Sequence, residues 1–180
     1  MCGIVCAFDL KQKAEVVRPK VLEMSKIIRH RGPDWSGIYS NDKAIMAHER
    51  LAIVDPASGK QPLFTEDKSL VLAANGEIYN HIRLRNELLN AGHLFKTDHS
   101  DTEVLIHGFE QWGIDGLLSK IEGDYAFSIW DDNLQQLFIC RDRVGVKPLY
   151  FSFTDDGMIF ASEIKALLKY PSIKPEVDQL

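Results

Sequence analysis

Residues 1–8 read MCGIVCAF. A cysteine stands directly behind the initiator methionine, a glycine follows, and the chain then enters an apolar run that reads as a buried strand. Chain ends normally fray into solvent. An end tied into a core from its second residue implies a task for the end itself. The segments farther along repeat the strand pattern of residues 3–9. GIYS and AIMAHERLAIVD flank the polar turn NDK as two arms of an antiparallel hairpin, and SLVLAANGEIYN is a strand that runs into a turn. Beyond Asp124, DYAFSIWD, LQQLFICRD, LYFSF and MIFASE are separated by short stretches carrying the Asp, Asn, Gly and Pro of tight reversals.

Helices are fewer. The segment after Pro19 carries Val21, Met24 and Ile28 at helical spacing, with Pro19 placed in a first turn and Gly32-Pro33 as the stop. His81 opens a second helix bearing Leu84, Leu88 and Leu89, with Gly92 in its C-terminal stop position. SDTEVLIHGFEQWG opens a third: Ser100 and Glu103 have capping-box spacing, and Val104, Leu105, Phe109 and Trp112 share a face. EIKALLK is a fourth, ending before Pro171. Strands grouped in hairpins, rather than alternating singly with helices, give an α+β class with mostly antiparallel sheet. Residues 1–170 contain no repeat, low-complexity tract or linker and read as one domain; 171–180, with two prolines and no periodicity, read as the start of a linker.

Composition narrows the function classes. The chain has 180 residues, 45% hydrophobic and 26% charged, enough to bury a core without disulfides or a structural metal. A net charge of −5 gives no electrostatic reason to expect nucleic acid or an anionic membrane as partner. No apolar run approaches the ~18–20 residues of a membrane span, and the start lacks the pattern of a signal peptide, so the expected compartment is cytoplasmic. Cys2, Cys6 and Cys140 have no CxxC spacing, so neither a disulfide framework nor a metal site is expected.

Removal of Met1, the usual outcome before a small second side chain, would leave Cys2 owning both a thiol and a free α-amine. Their reference pKa values, about 8.5 and about 7.7–8.0, lie close enough for the amine to accept the thiol proton near neutrality. One residue then supplies nucleophile and base. The plainer reading, a small apolar strand residue, is adopted for Cys6 and Cys140. In NGEIYN, Asn75 and Gly76 are by themselves an ordinary turn, yet an Asn side-chain NH2 beside a Gly N–H is also a compact oxyanion hole. Gly76 also lets the backbone approach a substrate. Arg50 suits bidentate capture of a carboxylate, and Asp101 suits an ammonium; taken singly, Arg50 reads more readily as a solvated or ion-paired strand residue and Asp101 as a helix-start anion.

Taken together, CGI, RHRGPD (29–34), ERLAIVD (49–55), NGEIYN (75–80), SDTEV (100–104), GDYAF (123–127), RDRVGVKPLYF (141–151) and FASEIKAL (160–167) resemble the class II, or N-terminal-nucleophile, glutamine amidotransferases. The resemblance is nearest to the glutaminase domain of glutamine-hydrolysing asparagine synthetases. It implies an N-terminal-nucleophile hydrolase fold, a four-layer α-β-β-α sandwich. It implies hydrolysis of L-glutamine to glutamate and ammonia through a γ-glutamyl thioester on Cys2. Asn75 and Gly76 then match the oxyanion hole, Arg50 the binder of the α-carboxylate, and Glu77 and Asp101 the holders of the α-amino group. Leu51, Ile53 and Val54 match backbone lining the same pocket, RGPD matches a loop that closes over substrate, and Arg141 and Asp142 are expected to form an internal ion pair. No cofactor or metal is expected in this domain. ATP and Mg belong to the synthetase domain of such enzymes, marked by an SGG-x-D phosphate loop for which this sequence has no counterpart. The implied partner is an asparagine synthetase-type domain or subunit as ammonia acceptor, with room for a homodimer. The alternatives are the glutaminase part of an enzyme amidating sugars or peptides, and a non-catalytic interaction module of the same fold.

Overall fold

The computed structural model describes residues 1–176. In chain order its strands are β1 (Gly3–Phe8), β2 (Trp35–Ser40), β3 (Ala44–Arg50), β4 (Leu63–Phe64), β5 (Leu70–Ile78), β6 (Gly123–Asp131), β7 (Gln136–Arg141), β8 (Tyr150–Thr154) and β9 (Gly157–Ala161). The helices are α1 (Ala14–Ile27), α2 (His81–Asn90), α3 (Glu103–Lys120) and α4 (Ile164–Leu167). A five-stranded sheet has the order β2-β3-β1-β9-β8, and a four-stranded sheet the order β4-β5-β6-β7, with antiparallel pairing throughout the described residues.

Strand alternation sorts the apolar residues into three cores and so stacks the layers. Val5 and Ala7 of β1, with Ile45, Ala47, Ile159 and Ala161, face α1 and α4. The alternate residues Ile4 and Cys6 meet Val71, Ala73 and Trp130 in the seam between the sheets. Leu72, Ala74, Phe127 and Ile129 pack against α2 and α3. The order is therefore helix, sheet, sheet, helix, the expected four-layer sandwich. Because β1 is covered on both faces it reads as a continuous apolar run rather than an alternating one. Ile4 and Val5 are fully buried. Burying two such side chains contributes about 3–6 kcal/mol, which holds the chain end against fraying.

Several local expectations are corrected. The first helix starts at Ala14, not near Pro19, because Ala14, Val17, Val21 and Met24 form one buried stripe. That stripe outweighs the backbone hydrogen bond forgone at Pro19. The capping box does not form: α3 begins at Glu103, whose carboxylate turns back to accept from the N–H groups of Lys96 at 2.7 Å and Thr97 at 2.9 Å. The third helical segment is expected to end at Gly113; the helix does break there, Gly113 taking φ 66°, but α3 runs on to Lys120. Arg141 and Asp142 do not pair. Arg141 donates to the carbonyls of Gly145 and Lys147, and Asp142 accepts from the N–H groups of Val146 and Lys147, so both shape the VGVK turn. Gly92 does cap α2 with φ 98°. Tyr170 is buried and Ile173 packs beside it; of the stretch expected to open a linker, 177–180 lie outside the described residues. Cys6 and Cys140 are buried, and burial pushes both thiols up to about 12. Ser128, beside Cys6, partly opposes the rise.

Candidate active site

The period of two that builds the seam also places chemistry at its mouth. Cys2 continues the face of Ile4 and Cys6, Arg50 that of Met46, and Asn75 that of Val71 and Ala73. These strands end together, so the three side chains meet where the apolar filling stops. They line a cleft of about 660 Å³, counted to its open mouth, within the size range of small-molecule sites. Leu51, Ile53, Val54, Gly76, Glu77 and Asp101 line the same cleft, so every residue expected from the sequence is brought together there.

The end of β5 decides what the cleft can do. β4 pairs with β5 only at Val71 and Leu72, leaving that edge of β5 open beyond them. In an antiparallel pair, alternate residues direct both peptide groups to the same side. The Tyr125 carbonyl accepts from Asp142 N–H, so Tyr125 faces β7, and its partner Gly76 directs its own peptide groups away from β6. Ala74 and Ile78 share that direction. Ala74 N–H donates to Gln61 Oε1 at 2.7 Å, and Ile78 N–H to Asp101 Oδ2 at 2.9 Å. Between them the Gly76 N–H faces the cleft. Beside it Asn75 Nδ2 is buried without a hydrogen-bond partner. A buried orphan donor costs about 1–3 kcal/mol, and two unpaired donors on adjacent residues lining one cleft suit a site for negative charge. Gly76 is required for another reason than close substrate approach. A Cβ there would stand 2.7 Å from the Asp124 carbonyl, inside the β6 backbone.

The remaining groups surround that site. Leu51 N–H donates to Cys2 Sγ at 3.4 Å. Burial raises the Cys2 thiol pKa, opposed by the Leu51 hydrogen bond, the terminal amine and Arg50. Arg50 is buried, and its guanidinium donates to the carbonyls of Val54 at 3.0 Å, Asp55 at 2.5 Å and Pro56 at 3.2 Å. It thereby folds the 51–59 loop around itself. Burial raises the Asp101 pKa, with the Ile78 N–H opposing, while Glu77 stands exposed on the rim. The RGPD segment braces the site: Arg31 Nε donates to the Cys2 carbonyl at 2.8 Å while pairing with Glu163 at 3.0 Å, and Asp34 accepts from Ala52 N–H at 2.8 Å.

Sequence reasoning missed three contributors. His48 is fully buried and its Nε2–H donates to the Ala74 carbonyl at 2.8 Å; burial lowers its pKa to about 4, so it is neutral. Gln61 holds the other group of the same peptide. Lys147 reaches the lip of the cleft from the turn that Asp142 organises. The available signal was the HER of AIMAHER, where histidine and arginine two apart share the inward face.

A family model described as a glutamine amidotransferase domain matches residues 1–180, the whole chain. The chain belongs to the glutamine amidotransferase domain family. Among curated relatives, this amidotransferase domain is 45% identical over 168 residues to an asparagine synthetase [glutamine-hydrolyzing] of Arabidopsis thaliana, covering 93% of the chain and 28% of the relative. It is 46% identical over 169 residues to asparagine synthetase B of Escherichia coli, covering 93% of the chain and 30% of the relative. The domain thus spans about three-tenths of the length of these relatives. Among solved structures, the glutamine phosphoribosylpyrophosphate amidotransferase of B. subtilis aligns with TM-score 0.76 over 96% of the chain and 44% of its own, at 24% identity, a likeness of fold. Among the described residues no helix is long and apolar enough to cross a membrane.

Proposed function

We propose that this domain hydrolyses L-glutamine to L-glutamate and ammonia on Cys2, once Met1 has been removed, in the cytoplasm and without a cofactor or metal of its own in the reaction. The observation that carries the reading is the orphan Asn75 Nδ2 beside the outward Gly76 N–H, in the cleft that also holds Cys2, Arg50 and Asp101. The α-amine exposed by removal of Met1 takes the thiol proton, offsetting the burial that otherwise keeps Cys2 protonated. The thiolate attacks the side-chain carbonyl of glutamine, and the oxyanion accepts from Asn75 Nδ2–H and Gly76 N–H. Collapse expels ammonia, which leaves with the proton carried by the amine. Water, deprotonated by the same amine, then cleaves the γ-glutamyl thioester and frees the thiol. Arg50 binds the α-carboxylate, Asp101 and Glu77 hold the α-ammonium, and the loop through Leu51, Ile53 and Val54 positions the chain between them.

The 45% identity to asparagine synthetases supports delivery of the ammonia to an ATP-dependent aspartate-amidating domain or subunit. The test is intact mass of the purified chain before and after a glutamine-like electrophile, with an ammonia-release assay alongside. Expected are loss of Met1, one adduct, and no adduct on Cys2→Ala. Retained Met1 in an active preparation, or labelling that survives Cys2→Ala, overturns the mechanism.

A further inference from the structure

We propose that His93, His107 and Glu110 form a Zn²⁺ site on the outer helical layer, in a cleft separate from the one that holds Cys2. His107 and Glu110 are three apart on α3 and so share a face. His93 reaches them from the turn after α2: Gly92 takes φ 98°, His93 N–H closes onto the Leu88 carbonyl at 3.1 Å, and the chain doubles back over α3.

One donor atom from each residue lies within 4.8 Å of the others. Glu110 Oε2 stands 2.8 Å from His107 Nδ1 and 3.5 Å from His93 Nδ1. Ligands about 2.0–2.1 Å from a tetrahedral ion stand roughly 3.3 Å apart, so an ion would replace the proton now shared by His107 Nδ1 and Glu110 and draw the three donors together from within 4.8 Å. Both imidazoles are oriented from behind. His93 Nε2 bonds Gln111 Oε1 at 2.9 Å, and His107 Nε2 faces Glu103 Oε1 at 3.7 Å. That leaves each Nδ1 turned toward Glu110, the arrangement in which an oxygen on the far nitrogen fixes tautomer and ring plane. Glu103 is itself held by the N–H groups of Lys96 and Thr97. Two imidazoles and one carboxylate suit Zn²⁺ over Mg²⁺ or Ca²⁺, and all three line a cleft shared with the carboxylates Glu66 and Asp67. A bound ion clamps the turn after α2 to α3, the helix whose preceding loop carries Asp101.

The test uses the full chain after chelator treatment and buffer exchange. Calorimetric titration with ZnCl2 is expected to show one ion per chain, undisturbed by excess Mg²⁺. Saturation well above Kd raises Tm by about 5–10 °C. His93→Ala and Glu110→Gln, the first at a half-buried and the second at an exposed position, each weaken binding at least tenfold, and Gln111→Ala, acting through His93, about tenfold. Circular dichroism of the variants without metal verifies the fold. Cys2→Ser leaves Zn²⁺ affinity unchanged. Absence of stoichiometric binding by the parent chain, equal affinity in the His93→Ala/Glu110→Gln double variant, or loss of binding only in Cys2→Ser overturns the site.

Discussion

Replacing Asn75 by alanine separates catalysis from stability. In the folded chain the Asn75 Nδ2 donor is buried and has no partner. Truncation therefore breaks no hydrogen bond at that atom. It relieves an unsatisfied donor worth about 1–3 kcal/mol and gives up the packing of a small side chain, a loss of similar size, so the net change in stability is within about 1 kcal/mol. For a chain of this length that moves Tm by no more than about 2–4 °C. The chemical step fares differently. One of two donors to the oxyanion is lost, which costs about 2.7–4 kcal/mol of transition-state stabilisation, or 10²–10³ in kcat. KM changes little, because the interaction is made in the transition state rather than the bound substrate. Ammonia release measured over a range of glutamine concentrations, paired with a thermal melt, reads both numbers. Asn75→Asp keeps the shape but replaces the donor by an acceptor, and is expected to fall at least as far. A loss in kcat below tenfold, or a loss tracking a collapse in Tm, refutes the oxyanion assignment.

Arg50→Ala raises KM for glutamine at least tenfold and also lowers Tm, because the guanidinium holds three carbonyls of the 51–59 loop; steady-state kinetics with a melt checks both. Gln61→Ala leaves the buried Ala74 N–H unpaired and is expected to cost about 1–3 kcal/mol in urea unfolding, with kcat falling further through displacement of the neighbouring Asn75. Asp101 must be ionised to hold an ammonium, and burial raises its pKa. The acid limb of kcat/KM therefore lies above the ordinary aspartate value of about 3.9, and Asp101→Asn removes that limb together with most of kcat/KM. His48 has a folded pKa near 4 against 6.5 for the free side chain. Its stabilising contribution is complete above about pH 6.5 and is lost as pH falls toward 4, by ~3 kcal/mol in all. His48→Gln retains a donor for Ala74 and is expected to flatten that part of the pH–stability curve, measured by urea midpoints from pH 7 to 4.5.

What was legible from the chain depended on how local the cause was. Strand alternation, the NDK hairpin and the Gly92 cap are decided within a few residues, and they appear where the pattern put them. The cleft residues were found because each sits in a short motif, three of them on or beside strands and Asp101 just before α3, although no spacing in the chain says that residues 2, 50, 75 and 101 meet. Misreadings arose where tertiary contacts outbid a local rule. Pro19 suggested a helix start, but Val17 and Ala14 had a core to enter. Glu103 had capping-box spacing, but the N–H groups of Lys96 and Thr97, delivered by the loop after α2, offered its carboxylate a buried place. Gln61 and His48 were invisible because their purpose is created by an absence: β4 stops after two residues, and the Ala74 peptide it leaves uncovered needs other partners.

The same logic explains how the nucleophile proposed here can be a chain end without being a loose one. If Cys2 is to use its own α-amine as base, that nitrogen cannot be consumed by the hydrogen bonds that locate the residue. The anchoring observed avoids it. Arg31 grips the Cys2 carbonyl, Ser162 takes both peptide groups of Ile4, and the Leu51 N–H points at the sulfur. Among the described residues none of these bonds goes to Cys2 N. Met1 meanwhile lies among the residues lining the cleft, so its removal both uncovers the amine and opens the space that glutamine would enter. A chain processed in this way and one retaining Met1 have the same β1 strand and the same seam behind it. They should therefore melt within about 1 kcal/mol of each other while differing in ammonia release by orders of magnitude. Blocking removal with a bulky second residue would confound this, because it replaces Cys2. The clean comparison retains Cys2 and adds residues ahead of Met1 that a site-specific protease later removes together with it. Activity that appears only after cleavage, with Tm unchanged, is the expected result. Equal activity before and after cleavage would show that the base is some other group.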